Sequence, residues 1–297
     1  MKMKRAVCLL PGFFLAPSAV LACSTCMVGD PTLTLMGVEK PFENRLRMSV
    51  EYLRRDEELG REGVNLKEID ESRYTLNVAY APSRRWMLGV SIPWVERELS
   101  TFNLADADAS ALGDISLNVK GFLQSGENAR KNLYGVLAGV RLPTAEEQKD
   151  NGTALDFDVQ PGTGATAVNL GAWYSRFSYP FMFYASTFYQ VSDEGFQDFQ
   201  AGDAWVLNAG VQYASDYKLA FQLGFEGRWS EKDEFDSVKD PDSGGTIGFL
   251  APGLIYTLRQ DLLINMAVKF PVLDQLNGDH EEGTIYTIGV TYDFNLH

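Results

Sequence analysis

The sequence has only two histidines among its 297 residues, which bears on enzyme activity. A phospholipase or protease whose nucleophile or water is activated by an imidazole needs a histidine positioned against that group. His297 is the terminal residue, and His280 lies in the polar segment 278–282, which predicts a solvated loop histidine. The sequence also lacks a Gly-x-Ser-x-Gly motif and a phosphate-binding loop. We therefore predict that the chain is not an enzyme.

Cysteine is also scarce, since the sequence has three cysteine residues. Cys8 falls in a predicted signal peptide, which leaves Cys23 and Cys26 near the mature N-terminus. Three interpretations stay open: a local disulfide in an oxidising compartment, lipidation of Cys23 after the lipobox-like residues Val20 and Ala22, or a redox or metal site. Two thiolates fall short of the four ligands of a structural zinc site, and the absence of a following histidine excludes covalent haem attachment.

Long apolar runs are missing as well, because no segment of the mature chain approaches the about 18 residues of a spanning helix. The N-terminal apolar stretch, from Ala6 to Leu21, follows a basic start and precedes the small residue Ala22. This pattern predicts a cleaved signal peptide over residues 1–22. The mature chain is therefore expected to be exported, and to enter any membrane as β-strands.

Basic residues are outnumbered, since 26 Lys and Arg stand against 40 Asp and Glu, for a net charge of -14. A nucleic-acid-binding face would need a basic surface, so we predict no nucleic-acid partner. The acids concentrate in segments predicted to be long loops, where we expect solubility and cation-bridged contact with lipopolysaccharide. These acidic segments are 56–58, 146–147, 193–194, 231–236 and 281–282.

What the mature chain does contain is alternation of apolar and polar residues with a period of two. In the last segment, one face carries Tyr286, Ile288, Val290, Tyr292 and Phe294, and the other carries Thr, Gly and Asp. A transmembrane β-barrel requires such strands, because its outer face meets lipid and its inner face meets water. We predict an all-β fold, a transmembrane antiparallel up-and-down β-barrel of about 12 strands. The predicted spans are 44–53, 73–81, 85–95, 114–123, 132–142, 165–175, 180–191, 204–214, 217–229, 246–257, 260–270 and 284–294.

Aromatic residues close both ends of several predicted outward stripes, for example Trp86 and Trp94 on one strand. Such stripes match the two interfaces of a membrane. Predicted connections alternate between short turns, such as 82–85, and long loops, such as 54–72, which is the outer-membrane pattern. An even number of strands then places both termini in the periplasm. We predict a periplasmic N-terminal segment over 23–42 and an outer-membrane barrel over 43–297.

The end of the chain resembles a targeting signal. Gly289, Tyr292 and Phe294 have the spacing by which outer-membrane proteins are handed to the barrel-assembly machinery. The predicted partners are therefore this machinery, outer-membrane lipid and lipopolysaccharide, and a small-molecule solute.

Three motifs follow one another in the middle of the chain: Gly113-Asp114 at a strand start, Leu142-Pro143-Thr144 at a strand end, and the turn 161–164 with the sequence Pro-Gly-Thr-Gly. In this order they resemble the outer-membrane β-barrel family named after the meta-pathway of phenol degradation, whose members are described as transporters. The resemblance is best over about residues 112–175 and departs at Ala145, where the family usually has glycine. It implies a pore or uptake channel.

Side chains opposite the apolar stripes are predicted to line the lumen. The predicted basic lining is Arg45, Arg47, Lys120, Arg141, Arg228 and Lys269, and the acidic lining is Glu51, Glu226 and Asp293. Trp173, Tyr184 and Phe188 are predicted to add aromatic surface. A mildly basic lumen favours small carboxylated or aromatic solutes. The alternative is that these charges pair across the barrel and only fill it.

Two functions stay open at this point. The first is a channel that passes small anionic or aromatic solutes by passive diffusion, without a cofactor. The second is a plugged barrel whose Cys23 and Cys26 engage a periplasmic redox or metal-handling partner. We also hypothesise that residues 23–41 enter the lumen as a partial plug.

Overall fold

The computed structural model describes residues 44–123, 131–215 and 218–296, and within them the chain is almost entirely β-structure. Two short 3-10 helices, Phe157–Val159 and Phe196–Asp198, lie in connections. No helix in these ranges is long and apolar enough to cross a membrane. The strands are β1 (Arg45–Leu59), β2 (Lys67–Ser83), β3 (Trp86–Thr101), β4 (Ala107–Leu112), β5 (Ser116–Phe122), β6 (Asn132–Arg141), β7 (Lys149–Asp150), β8 (Thr153–Ala154), β9 (Ala167–Ser178), β10 (Phe181–Ser192), β11 (Phe199–Gln200), β12 (Ala204–Ala214), β13 (Leu219–Ser230), β14 (Glu234–Phe235), β15 (Val238–Lys239), β16 (Gly245–Arg259), β17 (Leu262–Leu276), β18 (His280–Glu282) and β19 (Ile285–Asn295).

Antiparallel pairing closes the long strands into a barrel. Strand β1 pairs with β2 on one side and with β19 on the other, so the first and last strands meet. Strands β4 and β5 both pair with β3 and form two halves of one barrel strand, and β18 continues β19 along β1. The result is a closed barrel of twelve strands, which confirms the fold predicted from the alternation. Because β1 and β19 pair with each other, the described barrel strands form a closed sheet rather than an open one with two edges.

The outward face of the barrel is an apolar belt. Large apolar side chains stand exposed on every side, including Leu88 on β3, Leu170 on β9, Leu207 on β12 and Ile288 on β19. Their chain neighbours point inward, and some of these neighbours are buried polar groups, such as Asn208 and Thr287. A continuous exposed apolar surface of this extent would be unfavourable in water, whereas lipid covers it without cost. The predicted outward stripes are therefore confirmed, and the barrel is of the transmembrane type.

At one end, called the long-loop end here, the strands are longer than predicted. Strand β1 continues to Leu59 rather than ending at 53, and β2 already begins at Lys67. The predicted long loop 54–72 is thus mostly a paired hairpin. Outward side chains in the extension are charged and exposed, as at Arg54 and Glu58, so the wall continues beyond the apolar belt into water. The opposite end is called the short-turn end.

A long connection folds back into the barrel at the long-loop end. It is called the inward segment here and comprises residues 143–166, between β6 and β9. Val159 of this segment is fully buried and packs against Leu59, Ile69 and Leu99, which are inward-facing residues of β1, β2 and β3. The inward segment therefore occupies part of the lumen.

Three further apolar clusters lie in the interior, one of which joins Ile247, Phe249 and Ile285. Phe157 of the inward segment packs with Phe199 and Phe235 from neighbouring connections at the long-loop end. Towards the short-turn end, a cluster of Phe122, Leu133, Leu137 and Trp173 fills one side of the lumen. The prediction that Trp173 faces inward agrees with this burial.

Candidate functional site

A cavity of about 290 Å³ lies in the lumen at the height of the apolar belt. All twelve barrel strands contribute to its wall, and Phe157, Asp158, Pro161 and Thr163 of the inward segment form its boundary towards the long-loop end. The wall positions alternate with belt positions, as Thr287 does with the exposed Ile288. The cavity is thus part of the interior that the closed sheet surrounds.

Uncharged polar groups cover much of the cavity wall. Ser91 Oγ donates a 2.6 Å hydrogen bond to Asn77 Oδ1, and Gln222 Nε2 donates a 2.8 Å hydrogen bond to the Tyr184 hydroxyl. Primary amides from six strands reach the wall. These residues were not among the predicted lining, because asparagine and glutamine on a strand carry no charge to attract notice.

Four of the predicted lining residues reach the cavity: Glu51, Arg141, Glu226 and Lys269. Lys269 Nζ donates a 2.7 Å hydrogen bond to Glu226 Oε2, so this pair is neutral as a unit. Among the described residues, the charged members of the cavity wall are four basic and four acidic groups: Arg73, Arg97, Arg141 and Lys269, and Glu51, Asp114, Asp158 and Glu226. The described part of the cavity wall thus carries basic and acidic groups in equal number, whereas the sequence predicts a mainly basic lumen.

Three other predicted lining residues form an ion-pair group near the short-turn end. Arg47 Nε donates a 2.7 Å hydrogen bond to Asp293 Oδ1, and Arg45 contacts the other oxygen of the same carboxylate. They lie in the lumen but outside the cavity wall as the structure describes it. These charges pair between the neighbouring strands β1 and β19, whereas the alternative interpretation has charges that pair across the barrel.

The last two predicted lining residues, Lys120 and Arg228, are buried in the barrel interior and are likewise absent from the cavity wall among the described residues. Lys120 Nζ lies 4.3 Å from the centroid of the Trp173 ring, within the range of a cation–π interaction. The ammonium is thus held against the aromatic cluster of the short-turn end.

A buried ion-pair network at the long-loop end was missed by the sequence analysis. The Arg55 guanidinium lies 3.1 Å from Glu282, 3.3 Å from Glu71 and 3.4 Å from Glu57. His280 Nε2 lies 2.5 Å from Glu57 Oε1, and its side chain is almost fully buried. The prediction of a solvated loop histidine is therefore wrong, because β18 pairs with β1 and turns His280 into the interior. The predicted solvated role of Glu57 and Glu282 is wrong for the same reason.

This network lies beyond the apolar belt, at a level where the outward positions are charged. Burial alone would lower the pKa of His280, but its hydrogen bond to Glu57 and the charges of Glu57 and Glu282 outweigh burial and raise the pKa above the ordinary value. Burial alone would raise the pKa of Glu57, but Arg55 and His280 more than compensate, so that pKa is lowered. Both shifts favour the ionised pair at neutral pH.

The same three side chains, Glu57, His280 and Glu282, could offer three metal-ligand atoms within 4.8 Å of one another. Arg55 however lies against both carboxylates. Its guanidinium supplies the positive charge that a cation would otherwise supply, and a second cation there would be repelled. We therefore interpret the group as an ion-pair network that links β1, β2 and β18.

The inward segment is fastened to the wall by hydrogen bonds to its backbone. Arg97 donates to the carbonyl oxygens of Gln160 at 2.6 Å and Asp158 at 3.3 Å. The Asp114 carboxylate accepts hydrogen bonds from the backbone N–H groups of Thr163 at 2.8 Å and Ala145 at 3.0 Å. The three motifs that suggested a family therefore meet at one point in space.

Gly162 belongs to that meeting point. A Cβ atom there would lie 2.7 Å from the Ala145 Cβ and 2.8 Å from Asp114 Oδ2, which is too close for any side chain. The turn Pro-Gly-Thr-Gly therefore needs glycine at this position so that the backbone can approach the carboxylate.

Asp158 is fully buried in the inward segment. Lys67 Nζ donates a 2.7 Å hydrogen bond to Asp158 Oδ2, but burial of the carboxyl group outweighs this and raises its pKa to about 7. The group therefore changes its charge near neutral pH, within the segment that fills the lumen.

The predicted signal peptide, the segment 23–42 and the cysteines Cys23 and Cys26 lie outside the described residues. Their predicted roles, including lipidation, a disulfide, a metal or redox site and a lumen plug, stay predictions. The C-terminal Gly289, Tyr292 and Phe294 lie on β19, where Tyr292 and Phe294 face outward. Their predicted contact with the assembly machinery likewise stays a prediction.

Comparison with known structures shows barrels of the same fold. The crystal structure of an outer membrane channel from Pseudomonas putida F1 superimposes with a TM-score of 0.68 at 14% identity, over 85% of this chain and 96% of that chain. The translocator domain of the autotransporter NalP from Neisseria meningitidis does so with a TM-score of 0.52 at 13% identity, over 84% and 88%. At these identities the likeness concerns the fold. No family model and no curated protein matches the chain, so the phenol meta-pathway resemblance stays a prediction.

Proposed function

We propose that this protein is an outer-membrane channel through which small solutes diffuse passively. The observation that carries the proposal is the lumen cavity, whose wall draws on all twelve strands and lies behind an apolar belt. Barrels that only anchor a domain or carry an enzyme do not need a polar cavity at membrane level. A solute that crosses the barrel would pass through this space.

The outer membrane is the proposed location because closed barrels with short turns at one end and extended strands and long connections at the other are typical of it. In that orientation the short-turn end, with Arg45 and Asn295, faces the periplasm and the long-loop end faces the outside. The Pseudomonas putida protein of the same fold is itself named an outer membrane channel.

The inward segment controls the width of the proposed path. It is hydrogen-bonded to the wall through Asp114 and Arg97, and it lies between the cavity and the long-loop end. We therefore expect a small conductance in the conformation described, and larger openings when the segment leaves the lumen.

Of the two solute classes predicted from sequence, the aromatic class has support in the cavity. Tyr184, Phe188 and Phe157 reach the wall and offer ring faces for packing. The anionic class lacks such support, because the wall carries basic and acidic groups in equal number. We propose small solutes with an uncharged or aromatic part as the substrates.

The rival function, a plugged barrel that engages a periplasmic redox or metal-handling partner through Cys23 and Cys26, stays a prediction. Replacing both cysteines by serine should leave the flux of a diffusion channel unchanged. The prediction that the chain is not an enzyme also stays open to assay, and His280 faces Glu57 rather than a nucleophile.

A proteoliposome swelling assay tests the channel. Vesicles that contain the refolded mature protein are diluted into isotonic solutions of arabinose, glucose, sucrose and raffinose, and swelling rates are compared with those of protein-free vesicles. We expect swelling to fall steeply with solute size, because the cavity is narrow. Rates equal to those of protein-free vesicles for all four sugars would overturn the proposal.

A further inference from the structure

The cavity wall carries a set of primary amides whose arrangement bears on the solute that would bind. They come from six different barrel strands and surround the same space. The six are Asn77, Asn118, Asn169, Gln190, Asn208 and Gln222. A primary amide offers two hydrogen-bond donors and an acceptor oxygen, so a wall of amides can satisfy hydroxyl groups in either direction.

Two of these amides approach each other across a glycine. Asn118 on β5 and Asn169 on β9 both lie opposite Gly139 of the intervening strand β6. A Cβ atom at Gly139 would lie 2.4 Å from Asn118 Oδ1 and 2.8 Å from Asn169 Nδ2. The absence of a side chain on β6 is thus what lets the two amides form one polar patch.

Aromatic rings stand beside the amides. Tyr184 and Phe188 project inward from β10, and Gln222 donates to the Tyr184 hydroxyl. Gly210 and Gly224 leave room for the Tyr184 ring, since a Cβ at either position would lie 2.5 Å or 3.1 Å from the Tyr184 hydroxyl oxygen. A ring face next to hydrogen-bonding amides suits a solute with one apolar face and several polar edges.

Several charged groups of the wall are engaged in ion pairs, either with each other or with residues behind the wall. Lys269 pairs with Glu226, and Arg97 pairs with Glu71 and with carbonyl groups of the inward segment. A charged solute would lose its hydration without gaining a surplus of opposite charge in the wall. An uncharged solute avoids this cost.

From these observations we propose that the cavity is a binding site for an uncharged, polyhydroxylated small molecule of the size of a monosaccharide. The proposal rests on the channel function, because a site at mid-height makes such a solute the one that the channel selects. The volume of about 290 Å³ lies just below the range of about 300–1,000 Å³ for small-molecule pockets, which suits one ring rather than a chain of sugars.

The direct test is saturation-transfer NMR with glucose as the probe and the refolded mature barrel in an amine-oxide detergent, which contains no sugar. The test variant is N118L with N169L, and the matched control is Q212L, an inward amide on β12 that lies outside the described cavity wall. Each lost hydrogen bond should weaken binding several-fold, so we expect about tenfold weaker binding in the double variant and unchanged binding in Q212L.

Glucose binding that is absent in the wild type, or equal in all three proteins, would overturn the site. So would benzoate binding that is stronger than glucose binding. If the double variant fails to show the heat-dependent gel shift of a folded barrel, N208L alone replaces it, with about threefold weaker binding expected.

A parallel recording in a planar bilayer keeps this proposal separate from the channel function. Channel openings without glucose binding would remove the binding site and leave the channel. Glucose binding without any openings would remove the channel and leave the site. Openings that glucose reduces in a saturable way in the wild type and in Q212L, but about tenfold less effectively in the double variant, would support both.

Discussion

The Asp114 carboxylate accepts a 2.8 Å hydrogen bond from the backbone N–H of Thr163. Asp114 belongs to the barrel wall at the break between β4 and β5, whereas Thr163 lies near the end of the inward segment. The same carboxylate binds Ala145, near the start of that segment, and Gly164. One buried side chain therefore holds both ends of the inward segment at one place on the wall.

Removing this carboxylate should release the inward segment. In D114A three backbone N–H groups lose a charged acceptor, and each such bond contributes about 1.5–3 kcal/mol. We expect the mean single-channel conductance to rise at least twofold and a protease added at the long-loop end to cut within 145–164. The control is D108A, which changes an exposed acid on β4. An unchanged conductance and digestion pattern in D114A would contradict the role assigned to Asp114.

Arg97 should matter far more to stability than an exposed arginine of the same wall. It pairs with Glu71 at 2.7 Å in the buried network, whereas Arg54 pairs with Asp70 at 3.5 Å with both side chains exposed. Loss of one partner of a buried pair costs about 3–5 kcal/mol, and loss of an exposed pair costs about 0–1 kcal/mol. Urea unfolding in detergent should show this difference between R97M and R54M. Equal unfolding free energies would show that the network contributes nothing specific.

His280 should make stability depend on pH. Its pKa in the folded barrel is raised by Glu57 and Glu282 against the effect of burial. Its contribution is therefore fully present below the ordinary value of about 6.5 and is lost as the pH rises through the raised folded value. The difference in unfolding free energy between the wild type and H280Q should be largest in mildly acidic buffer and shrink at alkaline pH. A difference that is constant or grows with pH would contradict the pairing with Glu57.

Asp158 should make the protease digestion of the inward segment depend on pH near neutrality. Burial raises its pKa to about 7 from an ordinary value of 3.8. Its contribution to stability is therefore fully present below about pH 3.8 and is lost as the pH rises through about 7, because the buried carboxylate then ionises. We expect digestion of the inward segment in the wild type to accelerate between pH 6 and 8, and D158N to lack this acceleration. D156N is the control, because Asp156 also contacts Lys67 but is partly exposed. Acceleration that persists in D158N would contradict the assignment.

Much of the barrel could be predicted from sequence, because lipid imposes a strict rule on every second residue. Val50, Leu207 and Ile288 are recognisable as outward positions for this reason. This alternation is required only of the residues that lie within the apolar belt. Beyond it, Arg54 and Glu58 face water, so the alternation of apolar and polar residues disappears although the strand continues to Leu59. The extended hairpins were for that reason predicted as loops.

The buried ion-pair network at the long-loop end could not be predicted from the sequence, because the residues that pair in it are distant along the chain. Glu57 faces Glu282, and Leu59 faces His280, only through the pairing of β1 with β18. A local segment rich in acids and glycine around His280 gives no sign of this pairing. The amides of the cavity were missed for a related reason, since their proximity depends on the register of β5, β6 and β9.

The central claim is that solutes and ions pass through the lumen cavity. Single-channel recording of two variants, substituted at adjacent positions of β2, tests this claim most directly. Thr75 lines the cavity, whereas Leu76 is the next residue along β2 and lies on the outward face. We predict discrete openings for the wild type, a conductance at most half as large for T75W, and an unchanged conductance for L76W. A wild-type barrel that folds but never opens, or a T75W variant that conducts like the wild type, would contradict the account.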